Sequence, residues 1–357
     1  PRAAAAAMPA PLVVLALGAS PPVQQTLASV PTQKFKAYNG VSSPDWTIGY
    51  YAWLWAPEAT RTKGATDATL GVQFTGDWNV SQALLSLGIK DDVCDDGQKT
   101  YCDSMIDFNM AGGQGKDEAR KAVMRSYDAC RACLITPADK KDFPPPFSLK
   151  SGKYHGAQFI SLGGGAQAPP WTVEMATIDD TEINKVKDAG FTGICFDIEA
   201  IDGGQELIDA FEETFARCRK AGVEVFITTS HSAPYEATSD QARYAIADAW
   251  AKSDNVGYFS PQLYTQGSES TPDFTEATGT SGPVEWSRYK NAKFKFVPSI
   301  VSELGVDDCK SYFSGQGLHV DGFVLWGQVP DVSGESGADM CVAHGICDKG
   351  KAKAKAK

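Results

Sequence analysis

The chain has 357 residues, 43% hydrophobic and 22% charged, which is enough to bury a large core as one domain of typically about 250 residues plus additions, or as two smaller ones. Its net charge of −11 argues against nucleic acid and anionic membrane surfaces as partners and is easier to reconcile with a neutral or cationic ligand. No run reaches the roughly 18 apolar residues of a membrane span.

Residues 1–20 carry one Arg, a short apolar stretch from Leu12 to Leu17 and small residues at Gly18, Ala19 and Ser20. They read as a secretory signal, the alternative being an Ala-rich disordered leader. Residues 21–45 are polar, contain Pro and read as a linker. Nine cysteines fit an oxidising compartment, so the expected location is outside the cell, where Asn79-Val80-Ser81 would serve as a glycosylation sequon. Cys94 with Cys102, and Cys341 with Cys347, are spaced to close small loops, although pairing does not follow from sequence. Cys130 and Cys133 form a CRAC segment without a neighbouring His cluster, which favours a structural role over zinc.

Trp46 to Leu54 is aromatic-rich and strand-like. Leu70 to Phe74 and Ser104 to Met110 are two further strand candidates, separated by an amphipathic run from Val80 to Leu87. Six apolar runs follow: Gly156 to Leu162, Phe191 to Ile198, Val223 to Thr229, Val256 to Tyr264, Phe294 to Val301 and Val320 to Trp326. Helical patterns or long loops separate them, and this alternation predicts a parallel sheet closed into a (β/α)8 barrel over residues 46–330. Of the N-terminal candidates, Trp46 to Leu54 and Ser104 to Met110 are assigned as the first two barrel strands, leaving 88–150 as an insertion ahead of the third. Residues 331–357 read as a tail with a Cys loop and a disordered Lys/Ala end.

The stretch that carries chemistry is AGFTGICFDIEA, Ala189 to Ala200. Ile194, Phe196 and Ile198 alternate with Cys195, Asp197 and Glu199, so the two acids share one face of a strand, their Cα atoms roughly 6.6 Å apart. Helical patterns at Asp180 to Asp188 and Gln205 to Ala221 flank it. Functional groups of such units gather at the carboxyl ends of the strands, where these acids stand. Acids there are either paired structurally or work in a wet cleft.

FDIE, with Gly193 four residues before Asp197, resembles the active-site pattern DGxDxDxE of glycoside hydrolase family 18, the chitinase family. Aligned on Glu199, the first Asp of that pattern is Thr192 here and the middle one Cys195. Phe159 to Gly165, FISLGGG, is similar to the family's SxGG segment and to the SLGGG of plant class III chitinases, which brings in Ser161, Gly163 and Gly164. Gln262-Leu263-Tyr264 resembles the QxY segment, followed by Thr265 where class III members carry Asn. GFVLWGQ is similar to the closing strand that ends in Trp326.

The resemblance implies a (β/α)8 barrel that binds chitin or N-acetylglucosamine oligosaccharides as a monomer, needs no metal or cofactor, and acts without an enzyme nucleophile, the substrate's own acetamido oxygen attacking instead. Glu199 is then the general acid, Asp197 holds the acetamido group and Tyr264 supports it. Trp326 floors the sugar at the cleavage point, with Ser161, Gly163, Gly164 and Gln262 lining the site; Trp53, Trp55 and Trp171, at or near strand ends, either extend that platform or belong to the core, as buried Trp commonly does. His231, after the fifth strand, stands at the rim either as a sugar contact or as a structural His. Cys195 is the natural free thiol, and in an apolar barrel it stays neutral and supports Asp197 weakly. Two readings result, a secreted hydrolase of β-1,4-linked N-acetylglucosamine polymers and a chitinase-like sugar-binding or storage protein without turnover. Asp197 and Glu199 favour the first; Thr192, Cys195 and Thr265 favour the second.

Overall fold

The computed structural model describes residues 46–53, 68–89, 96–126, 128–136, 138–139, 149, 154–164, 169–265, 267, 269 and 271–326. The expected signal, linker and tail lie outside these residues, as do Trp55, Cys94, Cys341 and Cys347.

Eight parallel strands form a closed ring. They are β1 (Thr47–Trp53), β2 (Leu70–Phe74), β3 (Ala157–Gly163), β4 (Gly193–Asp197), β5 (Glu224–Ser230), β6 (Tyr258–Gln262), β7 in two pieces (Lys295–Phe296 and Ser299–Ile300) and β8 (Gly322–Leu325). Each pairs with the next, and β8 closes on β1 with Val324 opposite Gly49. The fold is a (β/α)8 barrel. Its strands are buried on both faces, which is why they read as continuous apolar runs rather than as alternation.

Strand alternation divides the apolar residues between two cores. Tyr51, Val72, Phe159, Cys195, Phe226, Val297 and Val324 fill the barrel interior. Ile160, Ile194, Phe196, Ile227 and Phe259 face outward against the helices. At Gly193 a Cβ would fall 2.5 Å from the Phe159 ring and 2.3 Å from the Glu224 carbonyl, so this glycine makes room for the aromatic neighbour that plugs the barrel.

The helices are α1 (Val80–Ser86), α2 (Asp96–Ala111), α3 (Lys116–Ser126), α4 (Asp128–Leu134), α5 (Val173–Ala176), α6 (Asp180–Asp188), α7 (Gln205–Ala221), α8 (Asp240–Lys252) and α9 (Val306–Gly315). Their ends follow local rules: Asn79, Asp179 and Ser239 accept from backbone amides as N-caps, and Gly222 closes α7 in the left-handed region at φ +76°. In α7, Leu207, Phe211, Phe215 and Cys218 recur at helical spacing and are buried against the barrel.

Two expectations are corrected. The second strand is Leu70–Phe74, not Ser104 to Met110, which lies inside α2. There Cys102 and Ile106, four residues apart, share one helix face and pack with Ala119, Val123 and Cys130. The same packing overturns the Cys94–Cys102 loop: Cys102 is bonded to Cys130, because α2 and α4 bring their Cα atoms to 5.5 Å. Cys133 is disulfide-bonded as well, so both cysteines of CRAC are oxidised and structural. Cys195, Cys218 and Cys309 are free and buried.

Candidate active site

The loops that leave β3, β4 and β5 are zipped into a small parallel layer above the barrel mouth. Ala200–Ile201 pairs with Glu236–Ala237, and Trp171 bridges to Ile201. Within the segment that carries the acids, every backbone carbonyl from Asp197 to Ala200 has a donor: Trp171 Nε1 at 2.7 Å, Thr229 Oγ1 at 2.6 Å, the Tyr235 amide at 2.9 Å and the Trp171 amide at 2.9 Å. Strand pairing in β4 ends at Asp197, so Glu199 stands just beyond the sheet on a backbone that is fixed at each residue. Such fixing supplies the preorganisation a reacting carboxyl needs.

The two acids meet at one group. Gln262, at the end of β6, donates through Nε2 to Asp197 Oδ1 at 3.2 Å and to Glu199 Oε1 at 2.9 Å. Two such contacts to a single nitrogen bound the separation of these oxygens at 6.1 Å. Among the described residues neither carboxyl has an ion-pair partner. Burial pushes the Asp197 carboxyl well above its usual range, and the charge of Glu199 adds to this. Glu199 is also raised by burial, while the hydrogen bond from Gln262 pulls it back. The pair therefore favours holding a proton.

Glycines bring the third strand against these acids. Gly163 and Gly164 adopt φ of +79° and +74°. A Cβ on Gly164 would lie 1.9 Å from Asp197 Oδ2, so only glycine allows the carboxyl its position. Ser161 is fully buried one layer below, where its hydroxyl accepts from the Thr75 amide at 3.1 Å.

An aromatic wall stands beside the acids. Trp326 lies parallel to Tyr264 at 5.9 Å and meets the edges of Tyr51 at 5.4 Å and Phe74 at 5.6 Å. Gly267, at φ +72°, passes so close that a Cβ would fall 2.4 Å from the Trp326 indole nitrogen. Tyr264 is pushed up by burial and then by Tyr51, Asp197 and Glu199, so its phenol remains a neutral donor. Beneath it runs a row of hydroxyls. Ser260 Oγ gives its one proton to the Val297 carbonyl at 2.6 Å, so Ser299, at 2.7 Å, must donate to Ser260, and Tyr51, at 3.0 Å, to Ser299. Cys195 lies fully buried in the interior, its thiol pushed up by burial and by Asp197, and hence neutral.

The structure thus gathers Asp197, Glu199, Gln262, Tyr264, Trp326, Gly163 and Gly164 at one mouth. Ser161 lies beneath that group. Trp171 is not a platform: it is fully buried among Trp78, Phe196 and Phe211 and serves the backbone of Asp197. The side chain of Trp53 lies outside the described residues. His231 stands at the rim, its amide donating to the Gln262 carbonyl and Nε2 lying 3.3 Å from Asp273 Oδ2. It is also the one non-glycine with positive φ among the described residues, at +47°. Sequence reading missed Tyr51 and Phe74 as walls, and Tyr235, whose amide holds Glu199. The first two could have been found from the apolar runs that carry them, the third by no periodic signal.

No protein-family model and no curated protein matches the chain. Among solved structures, it is similar to a Streptomyces coelicolor protein assigned as chitinase A (12% identity, 85% of this chain and 96% of that one, TM-score 0.39). It is also similar to a chitinase from Chromobacterium violaceum (11%, 71% and 68%, TM-score 0.31) and to the homocysteine methyltransferase MmuM of Escherichia coli (9%, 85% and 96%, TM-score 0.35). At such values none of the three says anything about the chemistry of this chain.

Proposed function

We propose that the protein is a retaining glycoside hydrolase of β-1,4-linked N-acetylglucosamine polymers, working by substrate assistance. The observation that supports this best is the single Gln262 amide that bonds one oxygen of each of two carboxyls, buried Asp197 and half-buried Glu199, neither of them paired with a cation among the described residues, beside an aromatic wall. Inverting enzymes keep their carboxyls roughly 6.5–9.5 Å apart to leave room for a water, and the 6.1 Å bound on the two oxygens that share Gln262 lies below that range.

In the first step Glu199 gives its proton to the leaving glycosidic oxygen as the bond from that oxygen to C1 breaks. The substrate's acetamido oxygen forms the new bond to C1, giving an oxazolinium ion whose N–H is held by Asp197 and whose oxygen is met by the Tyr264 hydroxyl. Water then adds at C1, its proton passing to the Glu199 carboxylate, and the acetamido group is released. A carboxyl raised toward neutral pH suits both the donation and the return. Trp326 offers its ring to the apolar face of the sugar. Secretion into an oxidising compartment accords with the Cys102–Cys130 bond.

One observation favours the second reading, a sugar-binding protein without turnover: the neutral, buried Cys195 beneath Asp197 cannot share a proton with it as an acid would. One experiment decides between them. Hydrolysis of a fluorogenic chitooligosaccharide is expected to fall by about 10²- to 10⁴-fold on Glu199→Gln. Equal, background-level rates for the wild type and the variant would refute the hydrolase.

A further inference from the structure

Among the described residues Tyr235 is the exposed aromatic whose backbone bonds to the segment carrying the acids, 55% accessible, yet its backbone is hydrogen-bonded on both sides. Its amide donates to the Glu199 carbonyl at 2.9 Å. Its own carbonyl accepts from Arg243 Nη2 at 3.1 Å, and that of Pro234 accepts from Arg243 Nε at 2.9 Å. The next residue, Glu236, pairs with Ala200 in the layer above the mouth. Arg243 is 7% exposed and also paired with Asp240 at 3.1 Å, so a guanidinium is withdrawn from water chiefly to fasten this turn. Burying a charge is costly, and here what it secures is a side chain that itself stays in solvent.

The position of that side chain gives the arrangement a use. β4 lies opposite β8 in the ring, so the wall formed by the β4 and β5 loops faces the end of the strand that carries Trp326. A sugar chain resting on Trp326 and reaching Glu199 at its scissile oxygen continues toward the β5 loop. An aromatic face held there in advance gains contact with an apolar sugar face while losing little conformational freedom on binding. The charge of Glu199 reaches the Tyr235 phenol, which is raised first by burial and then by Glu199 and Glu236.

We propose that Tyr235 is a stacking platform for the sugar on the leaving-group side of Glu199, a binding subsite separate from the one floored by Trp326. This rests on the glycan-hydrolase reading above. Its essential feature is the ring, not the hydroxyl.

The test is a calorimetric titration of N-acetylchitohexaose into the Glu199→Gln protein, alone and combined with Tyr235→Ala or Tyr235→Phe. Tyr235→Ala is expected to weaken binding about tenfold, equivalent to about 1.4 kcal/mol, and Tyr235→Phe to leave it within twofold. In the otherwise native enzyme, Tyr235→Ala is expected to raise KM for the hexamer about tenfold with kcat little changed. Hexamer binding by Glu199→Gln that is indifferent to Tyr235→Ala would overturn the subsite and leave the hydrolase reading standing. Absence of hexamer binding by Glu199→Gln, together with absence of wild-type hydrolysis, would overturn both.

Discussion

Replacing Gln262 by Met keeps the length of the side chain and removes the one amide that serves both acids. Its bond to Glu199 stabilises the carboxylate and so lowers that group's pKa against the upward push of burial. Hydrogen bonds to charged groups contribute about 1.5–3 kcal/mol, and one pKa unit corresponds to about 1.4 kcal/mol. Glu199 is only half-buried, which places the effect at the lower end, about one unit. Loss of the bond therefore raises the pKa of Glu199, and the alkaline limb of the profile of kcat/KM against pH, which reports loss of its proton, is expected to move to higher pH by about one unit. A heteronuclear NMR titration of the side-chain carboxyls reads the same shift without depending on turnover. An alkaline limb that stays in place, or moves to lower pH, would refute the assignment of Gln262 as the group that sets the acidity of the pair.

Two further outcomes follow from the same site. Because Asp197 and Glu199 both titrate above the usual values of 3.8 and 4.5, the folded state binds their protons more tightly than the unfolded chain. Their stabilising contribution is complete below about pH 4 and is lost as pH rises through the raised values, so combining Asp197→Asn with Glu199→Gln is expected to raise the thermal midpoint most at neutral pH; a gain confined to acid pH would contradict this. Gly164→Ala puts a side chain at φ +74° and onto Asp197, and is expected to cost at least about 1–2 kcal/mol, about 2–4 °C or more in midpoint, with a fall in kcat. Gly222→Ala, at φ +76° with nothing within 4 Å, carries the backbone cost alone and is expected to spare kcat; equal kinetic loss in both would show that Asp197 is not displaced.

Much of the barrel was legible because its strands are unbroken apolar runs separated by helical periods. GICFDIEA stood out because its alternation puts Asp197 and Glu199 on one face, and FISLGGG because glycines mark where the backbone turns and another group approaches, as Gly163 and Gly164 do against Asp197 and Trp171. The second strand was misassigned for a physical reason. SMIDFNM alternates like a strand, but its inward residues are set by Cys102 and Ile106 at helical spacing, while LGVQF is short and buried on both faces and so shows no alternation at all. Cysteine pairing was decided by the packing of α2 on α4, which loop length does not encode. Trp171 stood open between core and platform, with core the commoner fate of a Trp; the burial that decides it depends on loops that zip only in three dimensions. Tyr235 was invisible because its role comes from the hydrogen bonds of its backbone.

The row of hydroxyls from Tyr51 through Ser299 and Ser260 has a fixed direction, since it terminates at the Val297 carbonyl, which can only accept. On the glycosidase reading, the proton that Glu199 gives up is therefore returned by the water that adds at C1 and not along this row, whose polarity runs toward a carbonyl that has no proton to pass on.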